Sequence, residues 1–138
     1  MNLLSNVSWI GIFVTLISIL VLGFSWYHWS LFGKTWATSL GMNKEQADNT
    51  EGMGKVFLFS IVGAFIKVLF FAVLVEVIGV KTITFNTLLA LSISFAMIAT
   101  SIVYHDGFAR RLNKASIVNV SHDIVELTLI GFLYSLFT

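Results

Sequence analysis

The sequence predicts an all-α integral membrane protein built as a bundle of four transmembrane helices. Of its 138 residues, 57% are hydrophobic and only 11% are charged, whereas soluble domains contain roughly 25% charged residues. The mean hydropathy of +0.92 leaves too little polar surface to cover a domain of this size in water. A single soluble domain and a disordered chain are therefore excluded.

Four apolar stretches are each long enough to cross a bilayer core of about 30 Å, which takes roughly 20 helical residues. The predicted spans are residues 7–29, 56–79, 83–104 and 117–137. We predict a single domain over residues 1–138, without an internal repeat. The chain contains no proline, so irregular backbone within a span would have to be made by glycine.

The first span carries small and hydroxyl residues along one side. Such residues let neighbouring helices approach closely and hydrogen-bond across the contact, so we predict that they form a packing seam. They are Gly11, Thr15, Ser18 and Ser25. The span lacks a preceding basic segment and a small-residue cleavage site, so we do not expect it to be a cleaved signal peptide.

An aromatic cluster marks the end of the first span. It consists of Trp26, Tyr27, Trp29 and Trp36. Amphipathic aromatic rings favour the headgroup level of a membrane, and anchoring there is our interpretation, with a platform that stacks on a ligand as the alternative. In the following loop, Asn43 and Gln46 have the spacing of an N-cap and its capping-box partner, which predicts a short helix over residues 44–49.

The second span contains one lysine far from either end. Lys67 lies about 18 Å deep, counted from Lys55 at 1.5 Å per residue. Ser60 and Gly63 share its helical face, so we predict a channel of small residues that leads to it.

Glu76 points to the opposite face of the second span, near its outer end, where we expect it to reach water, as we do for Lys81. The third span contains scattered polar residues, which we interpret as packing residues. They are Asn86, Thr87, Ser92, Ser94, Thr100 and Ser101.

The fourth span opens with four polar residues that fall within an arc of about 100° on a helix. They are Asn119, His122, Asp123 and Glu126. The same face continues with apolar residues, so its polar part covers only half of the membrane. This distribution indicates a vestibule that opens on one side, and not a continuous polar pore.

Lys67 and Glu126 have matching depths and opposite charges. Glu126 lies about 15 Å deep, counted from Ser116 at 1.5 Å per residue. Because ionisable groups in a bilayer are costly and usually meet a partner, we predict that Lys67 faces Glu126, with Asp123 as the alternative partner. The cluster is interpreted either as a structural ion-pair network or as a relay or ligand site.

A metal site is a third interpretation of this cluster. His122 and Glu126 have helical ligand spacing, but His28 and His105 do not converge on them, and the His-Glu-x-x-His pattern of a metalloprotease is absent. We therefore expect no metal. The chain also lacks phosphate-binding glycine loops and nucleophile elbows, and it has no cysteine. No cofactor is expected, and an enzyme that uses His122 and Asp123 on a lipid is the weakest of the possibilities.

The positive charges predict the orientation in the membrane, because loops rich in lysine and arginine stay in the cytoplasm. Six of them lie on one side: Lys34, Lys44, Lys55, Arg110, Arg111 and Lys114. The other side carries Lys81 alone, so we place both termini outside. Arg110, Arg111 and Lys114 are predicted to face lipid headgroups, although charge that merely sets topology explains them equally. A net charge of +1 gives no attraction to nucleic acid.

One motif resembles that of a family of small bacterial four-helix membrane proteins, domain of unknown function 1761. Its members have a Trp-Tyr pair that closes the first helix, then Phe-Gly-Lys and a tryptophan two residues on. In this chain these residues are Trp26, Tyr27, Phe32, Gly33, Lys34 and Trp36, with His28-Trp29 where members often have Ser-Pro. Residues 117–136 are similar to the last helix of the family, with a histidine at the place of His122. The resemblance implies a four-helix membrane fold and no established activity.

These observations predict a small multi-pass protein of an inner bacterial membrane that handles a small solute or ion through a vestibule open to the cytoplasm. Four helices of this length enclose little volume, so we expect a homo-oligomer in the lipid bilayer. The alternative is a non-catalytic scaffold or accessory subunit, in which the charged cluster only fixes helix register.

Overall fold

The computed structural model describes residues 3–138, and these form helices without any strand. The α-helices are α1 (Leu3–Asn6), α2 (Trp9–Trp26), α3 (Lys34–Ser39), α4 (Lys44–Asp48), α5 (Gly54–Ile78), α6 (Ile83–Ile93), α7 (Thr100–Phe108) and α8 (Lys114–Ser135). A π-helical turn at Trp29–Gly33 precedes α3, and another at Ser94–Ala99 joins α6 to α7.

Within residues 3–138, four helical segments are long and apolar enough to cross a membrane, so the predicted fold class is confirmed. They are Trp9–Ser39, Gly54–Ile78, Ile83–Phe108 and Lys114–Ser135. The third segment runs past the predicted end at residue 104 because its helix continues after the apolar run has ended. The first segment runs past residue 29 because the π-helical turn and α3 follow α2 after a break in the helix.

Helix α8 lies at the centre of the bundle and contacts α2, α3, α5, α6 and α7. The most deeply buried side chains lie in the half of the bundle that holds the end of α8. They include Phe71, Val75, Ile130 and Tyr134, each less than 2% exposed. Outward-facing positions are apolar as well, for example Phe13, Phe59 and Phe95, as expected where lipid replaces water.

Glycines bring α2 and α6 close to α8. A Cβ atom placed on Gly131 would lie 2.5 Å from the backbone oxygen of Asn86 and 2.6 Å from Ala90 Cβ, and one on Gly11 would lie 2.9 Å from Phe137 Cβ. At Gly131 the nearest atom belongs to the backbone of α6, so the α6–α8 contact depends on this glycine. At Gly11 the nearest atom is a side-chain atom of Phe137, which follows the end of α8 and would have to shift.

The packing seam predicted on the first span is only partly present. Gly11 and Thr15 are buried, but Ser18 is half-buried and Ser25 is exposed. The buried face of α2 instead includes Ile12 and Ile19, which helical periodicity places beside Thr15. The Ser18 hydroxyl donates to the Val14 carbonyl at 2.8 Å, so it needs no partner on another helix.

The short helix predicted in the first loop is confirmed as α4. Asn43 Oδ1 accepts a hydrogen bond from the Gln46 backbone N–H at 2.9 Å, and Gln46 Oε1 accepts one from the Asn43 N–H at 3.0 Å. The two side chains form the capping box that their spacing predicts.

A second capping box, at the start of α8, was not predicted. Asn113 Oδ1 accepts hydrogen bonds from the backbone N–H groups of Ala115 at 2.8 Å and Ser116 at 3.2 Å. The Ser116 hydroxyl donates to Asp106 Oδ2 at 2.5 Å, and Arg111 Nε donates to Asp106 Oδ1 at 3.1 Å. Asp106 therefore ties the end of α7 to the first turn of the central helix.

Replacing the cap of α8 should weaken the fold measurably. We expect Asn113→Ala to lower the free energy of unfolding by about 1 kcal/mol, the usual contribution of an N-cap side chain. Thermal unfolding in detergent micelles, followed by circular dichroism, would measure the loss. Asn113→Ser is the control, since it keeps a capping oxygen and should lose less; equal losses in the two variants would contradict this role.

Candidate functional site

The charged residues of the second and fourth spans meet inside the bundle. Lys67 Nζ on α5 forms an ion pair with Glu126 Oε2 on α8, so the contact predicted from their depths is present. The Glu126 side chain is only 7% exposed, whereas that of Lys67 is 40% exposed. Asp123, the alternative partner, instead has Oδ1 at 3.1 Å from Nδ1 of the adjacent His122.

His122 is buried one turn before Glu126 and is surrounded by aromatic rings. Its ring centroid lies 5.2 Å from that of Tyr27 and 5.9 Å from that of Trp26. Gly23 lies beside the ring, where a Cβ would be 3.7 Å from His122 Nε2, an ordinary van der Waals contact. Nε2 itself is buried and has no hydrogen-bond partner among residues 3–138.

The aromatic residues at the end of α2 bind α8. The Tyr27 hydroxyl donates to Asn119 Oδ1 at 2.8 Å, and Trp26 Nε1 donates to the Val118 carbonyl at 3.3 Å. The ring of Trp36 packs edge-on against Tyr27, at 5.5 Å between centroids. The polar groups of Trp26 and Tyr27 thus form hydrogen bonds to α8 within the bundle. The interpretation of these residues as membrane anchors did not predict these bonds.

A cavity of about 760 Å³ leads from α4 to the Lys67–Glu126 pair. On α5 its lining runs from Phe57 to Lys67, about 15 Å at the helical rise. Ser60 and Gly63, the predicted channel residues, lie on its wall. The remaining lining is largely apolar and aromatic. It consists of Ile19, Leu20, Gly23, Phe24, Tyr27, His28, Trp29, Ala47, Asp48, Thr50, Ala64, His122 and Glu126.

Three side chains of α8 could also hold a metal ion. His122, Asp123 and Glu126 can each present one ligand atom, with these atoms all within 4.8 Å of one another. Imidazole and carboxylate ligands together suit Zn²⁺ and other divalent transition metals. The Lys67 ammonium contacts Glu126 Oε2, so a metal ion would share this carboxylate with it or displace it.

Comparison with known protein families gives one match, and the matched residues include both helices of the ion pair. A family model described as "Protein of unknown function (DUF1761)" matches residues 10–135. The chain belongs to this family. No curated protein and no solved structure matches it.

The DUF1761 motif builds a break between α2 and α3. His28 is extended, with φ −66° and ψ 142°, and Leu31 is non-helical at φ −103° and ψ −110°. A Cβ on Gly33 would collide with the Tyr27 carbonyl oxygen and the His28 backbone. The break therefore forms without proline. His28 Nδ1 caps the new turn by accepting a hydrogen bond from the Ser30 N–H at 3.3 Å, and Gly33 lets its own backbone lie against the backbone of Tyr27 and His28.

Filling this space should disturb the aromatic contacts with α8. We expect Gly33→Ala to cost about 2 kcal/mol, within the range for forcing atoms into a packed site, and to break the bond from Tyr27 to Asn119. Thermal unfolding and the near-ultraviolet circular dichroism of the aromatic residues would report both effects. Gly107→Ala is the control because its Cβ would meet nothing within 4 Å; equal behaviour of the two variants would refute the steric argument.

The prediction that Glu76 reaches water is wrong. Its side chain is 7% exposed, and its Oε1 lies 2.6 Å from Lys81 Nζ. Gly79 ends α5 in the left-handed conformation at φ +75°, and the chain turns so that Lys81 covers the carboxylate. This second ion pair lies outside the cavity described above.

Asn86, interpreted from the sequence as one of several packing residues, is the one whose amide is buried without a partner among residues 3–138. Its side chain is fully buried, and neither amide atom has a hydrogen-bond partner in the described part of the chain. The sequence contains several polar residues in this span and offers no feature that distinguishes Asn86. Of the predicted headgroup-facing residues, Arg111 binds Asp106 while remaining largely exposed, and Arg110 and Lys114 are exposed; their contact with lipid stays a prediction.

Proposed function

We propose that this DUF1761 protein binds a small solute or ion in the cavity between α2, α4, α5 and α8, with Lys67 and Glu126 at its closed end. The cavity itself supports this proposal best. It combines largely apolar walls with a few convergent polar groups, the usual composition of a ligand site. Its polar end lies near the middle of the two helices, where an ionisable residue is by default a functional candidate.

The proposed orientation places the α4 end of the cavity in the cytoplasm and both termini outside, in a bacterial inner membrane. It is supported by the six basic residues in the first and last loops, against Lys81 in the turn after α5. The cavity ends at the ion pair, so any path across the membrane would require another conformation or a second copy of the chain. Native mass spectrometry would test the proposed homo-oligomer.

A cysteine-accessibility experiment tests whether the cavity is open to water. The chain has no native cysteine, and a Cβ on Gly63 would meet nothing within 4 Å. We expect Gly63→Cys in proteoliposomes to react with 2-hydroxyethyl methanethiosulfonate, because only a thiolate reacts and thiolates form in water. Val62→Cys is the matched control, since Val62 is 46% exposed and does not line the cavity.

We expect Gly63→Cys to be labelled at least about tenfold faster than Val62→Cys. A thiol whose pKa is one unit lower has about tenfold more thiolate, and only the thiolate reacts. Equal, slow labelling of both variants would refute a water-filled binding site.

The alternative is a scaffold in which the ion pair only sets helix register. The direct contact between Lys67 and Glu126 favours it, because a paired charge needs no ligand to be tolerated. It predicts slow labelling of Gly63→Cys and a fold that recovers when the charges are exchanged, as Lys67→Glu with Glu126→Lys.

A further inference from the structure

We infer that the ligand of this cavity is a neutral molecule with an apolar body and a carbonyl group, whose oxygen accepts hydrogen bonds from the Lys67 ammonium. The inference rests on the proposed function and names the chemical class of its solute.

The charges at the closed end of the cavity favour a ligand without net charge. The Lys67 ammonium contacts the Glu126 carboxylate, and an oxygen of Asp123 lies within 4.8 Å of an oxygen of Glu126. An anion bound to the ammonium would therefore lie against two carboxylates. A cation in the cavity would meet the ammonium first, because Lys67 is 40% exposed and Glu126 only 7% exposed. Since like charges in contact repel each other, a neutral ligand is the one that avoids both conflicts.

The Lys67 ammonium still has free hydrogen-bond donors for such a ligand. An ammonium carries three donors, and among residues 3–138 only Glu126 accepts from this one. A carbonyl oxygen has two lone pairs, so it can accept both remaining bonds. Hydrogen bonds with a charged donor are stronger than those between neutral groups. The carbonyl therefore contacts the positive charge without bringing a negative charge to the carboxylates.

The other polar groups around the closed end are already bonded or out of reach. The Tyr27 hydroxyl donates to Asn119 Oδ1 at 2.8 Å, and the Ser60 hydroxyl donates to the Val56 carbonyl at 2.9 Å. His122 Nε2 is buried, so a molecule in the cavity does not reach it. A ligand with one accepting group is matched here, whereas a sugar would leave most of its hydroxyl groups unpaired.

The walls of the cavity favour an apolar body on that carbonyl. Phe24, Trp29 and Phe57 line it together with aliphatic residues, and the rings of Phe24 on α2 and Phe57 on α5 lie 6.4 Å apart between centroids. An aromatic or aliphatic body would bury its surface against these side chains. The cavity volume of about 760 Å³ is within the range of roughly 300–1,000 Å³ for small-molecule sites, so it can hold one such molecule.

Four probes of similar shape but different head groups separate the ligand classes. They are 4-phenyl-2-butanone, 3-phenylpropionate, 4-phenyl-2-butylamine and isopentylbenzene, which place a ketone, a carboxylate, an ammonium or a hydrocarbon at the same position. Gly63→Cys in proteoliposomes is the reporter, because Gly63 lines the cavity about one helical turn from Lys67. Its labelling by 2-hydroxyethyl methanethiosulfonate is measured against the concentration of each probe in the bilayer.

We expect the ketone to protect this cysteine at a concentration about tenfold lower than the other three probes require. This factor is a typical contribution of a hydrogen bond to a charged group. Val62→Cys is the control for general effects of the probes on the bilayer, because Val62 does not line the cavity; its labelling should not change.

Two variants in the reporter background test the two charges separately. Lys67→Met combined with Glu126→Leu removes both charges of the pair and should raise the protecting concentration of the ketone about tenfold, to that of the hydrocarbon. Glu126→Gln keeps the ammonium and removes one carboxylate beside it, so 3-phenylpropionate should protect this variant at a concentration at least about tenfold lower than before. The comparison of the four probes on Gly63→Cys alone does not depend on the folding of these variants.

Several results would overturn the inference. If the amine or the carboxylate protects at a lower concentration than the ketone, the ligand is a cation or an anion, and if the hydrocarbon protects equally well, only the apolar body is bound. Unchanged protection by the ketone after the loss of Lys67 would refute its role as the donor, and rapid labelling that no probe slows would refute a neutral carbonyl ligand. Each of these results leaves the proposed function standing, which fails if Gly63→Cys and Val62→Cys are labelled equally slowly.

Discussion

Replacing Glu126 with alanine is expected to lower the free energy of unfolding by about 3 kcal/mol. Removal of one partner of a buried ion pair typically costs about 3–5 kcal/mol, because the other charge is left without compensation. The lower value applies here because the Lys67 side chain is 40% exposed and the cavity can hydrate it in part. Unfolding in mixed detergent micelles, followed by tryptophan fluorescence, would measure the change.

A double-mutant cycle separates the pair from the residues around it. Lys67→Met alone should also destabilise the fold, since it strands the buried Glu126 carboxylate, whereas Lys67→Met with Glu126→Leu should recover much of the loss. Val125→Ala is the control, because Val125 is adjacent on α8 but 40% exposed. Losses that simply add would show that the two charges do not stabilise each other.

Replacing Gly131 with leucine is expected to lower the free energy of unfolding by a similar amount, because it disrupts the α6–α8 contact. Even a Cβ at this position would lie 2.5 Å from the Asn86 backbone oxygen, and backbone cannot move aside as a flexible side chain can. We expect a loss of about 3 kcal/mol, the upper part of the range for overpacking. The same unfolding measurement applies.

Gly63→Ala provides the contrast for this second prediction. Both glycines lie inside long helices, but a Cβ on Gly63 would meet nothing within 4 Å. The alanine should therefore raise stability by up to about 1 kcal/mol through its helix propensity. If Gly131→Leu were as stable as the wild-type protein, the close approach of α6 and α8 would have to be relaxed in the membrane.

The contact between Lys67 and Glu126 could be predicted because it follows from two strong constraints. A helix rises by a fixed distance per residue, so the position of a residue in the sequence gives its depth in the membrane. An unpaired charge at that depth is costly, so a charged residue there usually contacts a group of opposite charge. The capping box of α4 was predictable for a similar reason: Asn43 and Gln46 interact within a single turn, and their spacing is sufficient to define the contact.

The break before α3 and the burial of Glu76 could not be predicted, because both depend on how segments fold back on themselves. Nothing local shows that Gly33 packs against the Tyr27 carbonyl, or that Lys81 returns to cover Glu76. The hydrogen bond from Tyr27 to Asn119 has the same origin: it joins residues 92 positions apart. Tyrosine also favours the membrane surface, which made the interpretation of Tyr27 as an anchor reasonable.

The apolar packing beyond the ion pair has a consequence for the cell that carries this protein. Val68, Phe71, Val75, Ile130 and Tyr134 fill that half of the bundle without exposed surface, and dry hydrocarbon of this kind obstructs the passage of ions. If the proposed cavity holds water in the membrane, this dense half would keep ions from passing beyond the ion pair, and the electrochemical gradient would be preserved around the open cavity.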